Sequence, residues 1–243
     1  AQSKLQKEFV IEKDADDYTI LPAGDLGVVM TYSTDGDERG TKDWHFELYD
    51  TDFEKKWDKD LSIDDKFYFI KSNMSEENVL HIFYTNSKHS EFYYVMLDIG
   101  SKKIDHFSGF IPIKATTSYF ELVGDHAVFG GNADYSVGQT TLQCCLLYTC
   151  IGPFLYDATR DHATLNYIDY EKKNSKPIIV NFREQTTLND LTINEEKEEF
   201  TAVIEARTGR LKTELYLLNY DDKGKEDSRT QLRSGKEDVS LLD

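Results

Sequence analysis

Three carboxylates stand close together in the run Ser33-Thr34-Asp35-Gly36-Asp37-Glu38-Arg39-Gly40-Thr41. Asp35, Asp37 and Glu38 carry the hard oxygen donors that Ca²⁺ prefers, and backbone carbonyls of the same turn would have to complete its roughly six to eight ligands. The ligand series stops after Asp37, so a solvated hairpin tip is the competing reading. Asp50 with Asp52 is a weaker version of the same idea. No cofactor other than this weak calcium site is expected.

The remaining chemistry-bearing residues form no recognisable set. His45, His81, His89, His106, His126 and His162 never stand two or four residues apart, the spacings that put paired imidazoles on one strand face or one helix face. Each reads as a strand residue. Cys144, Cys145 and Cys150 lie within seven residues, too close to staple distant strands. They read as free thiols in an apolar hairpin, with a local Cys145–Cys150 disulfide as the alternative in an oxidising compartment. The phosphate-cradling, zinc-protease and nucleophile-elbow motifs are missing, and Gly130-Gly131 follows a strand pattern but leads into no helical one. A carboxylate pair for glycoside hydrolysis cannot be picked out from 45 acids. No catalytic residue is assigned.

One segment stands apart from its surroundings. Residues 134–162 read DYSVGQTTLQCCLLYTCIGPFLYDATRDH, a polar loop, an apolar run and an aromatic exit. Tyr135, Leu146, Leu147, Tyr148, Ile151, Phe154 and Tyr156 are its candidate binding residues. If they instead plug the core, the segment is structural.

What must position such residues is a repeat. One phrase recurs: FELYDTDFEKKWDKDL from Phe46, YVMLDIGSKKIDHFSGF from Tyr94, LNYIDYEKKNSKPIIVNF from Leu165 and LYLLNYDDKGKEDSRTQL from Leu215. Each is an apolar strand, a turn opened by an acid or amide, and a second strand. The turn anchors are Asp50, Asp98, Asp169 and Asn219, separated by 48, 71 and 50 residues. Such a side chain accepts hydrogen bonds from backbone N–H groups further on and holds the turn, a structural role. Two more strand patterns precede each anchor, among them LGVVMTYS, NVLHIFYTN, HAVFGGNAD and EFTAVIEAR. Four strands in a period of about 49 residues predict an all-β, β-propeller-like fold of about four four-stranded antiparallel blades. The alternatives are part of a larger propeller, or stacked β-sheets. We expect one domain over 1–243, with repeats at about 9–63, 64–114, 115–183 and 184–235 and an insertion at about 136–158 in the third.

Composition agrees. Aromatics make up 13% of the chain against only 4 prolines, which favours pleated sheet. The net charge of −17 repels phosphate backbones and excludes nucleic acid as a partner. No apolar run approaches the roughly 18–20 residues needed for a bilayer-spanning helix, which predicts a soluble chain. The start at Ala1-Gln2-Ser3 matches what signal peptidase leaves behind.

The phrase Tyr49-Asp50-Thr51-Asp52-Phe53-Glu54-Lys55-Lys56-Trp57 resembles a blade phrase of secreted β-propeller-like repeat proteins of Bacteroidetes, in which a strand ends in Tyr-Asp and Trp begins the next. Only the first copy keeps both. The resemblance implies residence in the cell envelope or outside it and brings no catalytic residues. The run from Ser33 to Trp44 also resembles the Asp-box turn of sialidase-type propellers, a fold element in that family, although its Gly and Trp are out of place. The expected function is an exported, non-catalytic recognition or scaffold module that binds a protein or a glycan. A glycan-active hydrolase or lyase and a structural subunit of an envelope assembly are the alternatives. Trp57, among charged neighbours, is expected in the core.

Overall fold

The computed structural model describes residues 15–111, 115–133, 162–209 and 212–232. Among them there is no α-helix, and sixteen strands form four antiparallel four-stranded sheets, none closed into a barrel. The first sheet holds β1 (Asp16–Pro22), β2 (Val28–Asp35), β3 (Thr41–Tyr49) and β4 (Lys55–Asp64). The second holds β5 (Phe67–Met74), β6 (Val79–Asn86), β7 (Glu91–Asp98) and β8 (Ile104–Phe110). In the third are β9 (Thr116–Val123), β10 (His126–Ala133), β11 (His162–Asp169) and β12 (Asn174–Ile178). In the fourth are β13 (Gln185–Asn194), β14 (Glu199–Arg207), β15 (Thr213–Tyr220) and β16 (Glu226–Leu232). Strands follow one another in chain order across every sheet, as four hairpin-linked repeats should.

Burial follows from position in the sheet. The two central strands carry the core, for instance Trp44, Phe46 and Leu48 of β3, alternate residues that share one face of the strand. The last strands are edges. β4 and β16 are lined with exposed charged and polar residues, which discourage pairing with another chain's edge. The first strand of each sheet carries an irregularity against the second, near Asp16/Thr19, Phe69/Lys71, Gly130/Gly131 and Leu188/Asp190. This accounts for the glycine pair, because a Cβ on Gly131 would lie 1.8 Å from the Thr116 carbonyl oxygen across the bulge.

The chain divides into two compact units, Ala1–Ser108 and Gly109–Asp243. In the first unit, Leu21, Val29, Trp44, Phe46 and Trp57 of the first sheet and Leu80, Ile82, Tyr84, Val95 and Leu97 of the second form one buried cluster. Trp57 is buried there because an irregularity between Leu48 and Tyr49 leaves Lys56 unpaired and sets Trp57 opposite Leu48. In the second unit, Val128, Leu165, Tyr167 and Ile178 cluster with Leu188, Phe200, Ile204 and Tyr220. Leu188 N–H donates to Asn132 Oδ1 at 2.8 Å and Ala163 N–H to Thr186 Oγ1 at 3.0 Å, so side-chain oxygens tie the third sheet to the fourth. No helix among the described residues is long and apolar enough to cross a membrane.

Candidate functional site

The turn anchors act through local hydrogen bonds. Asp50 Oδ1 accepts from the N–H groups of Asp52 at 3.0 Å and Glu54 at 2.9 Å. Asp98 Oδ1 accepts from Gly100 and Ser101, both at 2.9 Å. Asp169 Oδ1 accepts from Lys172 N–H at 2.9 Å, and Lys172 Nζ reaches its other oxygen at 2.7 Å. These contacts stabilise the ionised form. The Lys56 ammonium, then the Glu54 N–H, holds Asp50 below the usual carboxylate range, and the Ser101 N–H does so for Asp98. At Asp169 burial pushes the carboxyl up, but the Lys172 ammonium and N–H together outweigh it.

The fourth anchor is Asp221, not Asn219. Asn219 lies inside β15, where its side chain bonds Thr201 and Ser228 of the neighbouring strands. Asp221 Oδ1 accepts from Lys223 N–H at 3.0 Å and Lys225 N–H at 2.8 Å, the same offsets as at Asp50. The two turns match further. Phe53 and Gly224, each three residues past the anchor, take positive φ of 59° and 77°. At Asp98 and Asp169 the positive φ comes four residues on, at Lys102 and Lys173. The first and fourth sheets thus share one turn, and the second and third another. Asn86 is an anchor of the same kind missed in the sequence, its Oδ1 accepting from Ser90 N–H at 2.9 Å.

Asp35, Asp37 and Glu38 lie exposed at the β2–β3 hairpin, where the Glu38 carbonyl already accepts from Thr41 Oγ1 at 2.8 Å. Among the described residues no three His, Cys, Asp or Glu side chains converge to hold a metal ion. Tyr135, Leu146, Leu147, Tyr148, Ile151, Phe154, Tyr156 and the three cysteines lie outside the described residues.

The histidines proved less scattered than their spacing suggests. His81, His89, His106 and His126 each sit against a tyrosine: Tyr94, Tyr68, Tyr93 and Tyr167 respectively. His81 is buried, its Nδ1 lies 2.9 Å from Tyr94 Oη, and burial pushes the imidazole down to about 4. Tyr93 Oη lies 2.7 Å from His106 Nδ1, and burial pushes the phenol up to about 12.

The most chemically organised group crosses the first sheet. Tyr18 of β1 stacks on Tyr32 of β2, with centroids 5.2 Å apart, and Tyr32 stacks on His45 of β3 at 4.8 Å. His45 pairs in register with Asp60 of β4, and its Nδ1 lies 2.7 Å from Asp60 Oδ1. Its Nε2 lies 3.0 Å from Thr34 Oγ1 of β2. A carboxylate accepts but does not donate, so Nδ1 carries the proton, and in the neutral ring Nε2 accepts from the Thr34 hydroxyl. A hydroxyl, an imidazole and a carboxylate therefore stand in line on three consecutive strands. Nothing in the linear spacing of Thr34, His45 and Asp60 announces this.

No protein family matches the chain, and no curated protein does. Solved structures share a loose likeness. Cobalt-substituted Synechocystis ACO is 6% identical, with a TM-score of 0.39 over 89% of this chain and 61% of its own. A variant of Synechocystis apocarotenoid oxygenase is 8% identical, with a TM-score of 0.42 over 88% of this chain and 49% of its own. The chain spans half to three-fifths of the length of these structures. Likeness at this level assigns neither a family nor an activity.

Proposed function

We propose that the four sheets are blades of a small propeller and that the chain is an exported recognition or scaffold module, binding a protein or a glycan in the cell envelope. The observation that carries this reading is the bracing of turns at one end of each of the first three sheets. Gly27, in the β1–β2 turn, packs so tightly on the β3–β4 turn that a Cβ would lie 2.1 Å from the Tyr49 carbonyl oxygen. Ile99 N–H donates to Asn78 O at 3.1 Å, linking the corresponding turns of the second sheet. Tyr170 Oη donates to Gly124 O at 3.0 Å in the third. Turns fixed before a partner arrives lose less entropy on binding, which suits a recognition surface built on a repeated scaffold. The Tyr-Asp phrase ending in Trp57 supports the exported setting.

The test is binding by the purified chain to a panel of envelope polysaccharides and envelope proteins, repeated with Asp98→Ala and Tyr170→Phe, which loosen two of these turns. We expect a ligand whose affinity drops at least tenfold with one of them. Binding indifferent to both variants would refute the role of the braced turns.

A further inference from the structure

We propose that Thr34 is a base-activated hydroxyl that accepts an acyl group from an activated ester, with His45 as the base and Asp60 as its positioning residue. The inference stands on the geometry of the first sheet and is independent of the recognition reading. Hydroxyl nucleophiles need a neighbouring base within hydrogen-bond reach and a third group that fixes the base's tautomer. Thr34 Oγ1 is 3.0 Å from His45 Nε2, and His45 Nδ1 is 2.7 Å from Asp60 Oδ1. The imidazole is further held by its stack on the buried Tyr32 ring, with 24° between the planes. The group lies at the surface: Thr34 is half-buried, the His45 side chain is 23% exposed and that of Asp60 65%.

The step balances without a co-reactant. Thr34 Oγ1 attacks the ester carbonyl carbon, its proton passes to His45 Nε2, the new O–C bond forms, and the bond to the aryl oxygen breaks. The aryloxide leaves with the electron pair, and His45 returns its proton to solvent. Thr34 is paired on one side, with Asp43 of β3, while the ladder to β1 ends at Ser33, so the site stands at the open end of a strand pair and the developing oxyanion is met by water. That removes the largest contribution to fast acyl transfer and leaves the base, worth roughly 10²–10⁴-fold. The site therefore takes up one acyl group rather than turning over rapidly.

The probe is p-nitrophenyl acetate, incubated with the full chain and followed by peptide mapping. We expect one acetyl group on Thr34, formed roughly 10²-fold faster than on the other threonines. Thr34→Ser should keep it and Thr34→Val should lose it. His45→Phe preserves a ring on Tyr32 but removes the base, and should bring labelling to background while thermal melts show a folded chain; His45→Gln serves if the Phe variant fails to fold. Asp60→Asn should slow labelling at least tenfold, and Asp60→Glu should restore most of it. Acetyl groups confined to lysines or to His45, or equal labelling of Thr34 with and without the imidazole, would overturn the proposal.

Discussion

Between neutral pH and pH 4, the stability of this chain should fall because of one buried imidazole. His81 is 3% exposed, and burial lowers its pKa from 6.5 to about 4. Above about pH 7.5 neither the folded nor the unfolded state protonates this ring to any extent, and its neutral form contributes in full. Between pH 6.5 and 4 the unfolded chain takes up a proton that the folded chain refuses, so unfolding becomes easier by about 1.4 kcal/mol per pH unit. From pH 7.5 to 4.5 the loss amounts to about 2.5 kcal/mol, and below pH 4 the group adds nothing more. The carboxylates act in a different window. Asp50, Asp98 and Asp169 have lowered values, so their contribution is present above about pH 3.8 and is lost as pH falls further. Urea melts at intervals of half a pH unit, on the native chain and on His81→Gln, isolate the imidazole, because general charge effects are common to both. The native chain should lose about 2.5 kcal/mol more than the variant over this range. Parallel curves would refute the assignment of His81 as a neutral buried ring.

Three further outcomes follow from the packing. Trp57→Ala should cost about 3–5 kcal/mol in urea melts, since the indole is buried against both sheets of the first unit, and a loss below about 1 kcal/mol would contradict that. Gly224→Ala should destabilise by at least about 1 kcal/mol, because φ there is +77° and the new methyl would lie 2.8 Å from Ile178 Cγ1. Lys102→Gly should raise stability by about 0.5 kcal/mol, as it relieves a positive φ of 62° at an exposed turn, and a lowered melting temperature would count against it.

The period of four strands was legible because apolar alternation and polar turns mark each strand, and because the middle strands, buried on both faces, read as near-continuous apolar runs. Trp57 could be placed in the core from its charged neighbours alone. The spacing points to Asn219 as the fourth anchor for a specific reason. Moving the repeat two residues along the strand keeps every side chain on its own face, so alternation cannot tell Asn219 from Asp221. The Tyr-Asp pair at Tyr220-Asp221, repeating Tyr49-Asp50, was the signal that could have settled it. Thr34, His45 and Asp60 stayed hidden because cross-strand neighbours depend on register, which hairpin lengths set and no periodicity encodes. The strand irregularities were silent too, apart from the one that required Gly131.

Small-angle X-ray scattering on the purified chain, at concentrations where its mass is that of one copy, tests the proposed propeller arrangement most directly. Four sheets gathered as blades of one compact body predict a radius of gyration of about 18 Å and a single-peaked pair-distance distribution. A radius above about 22 Å with a second maximum in that distribution, the signature of two bodies held apart, would contradict it.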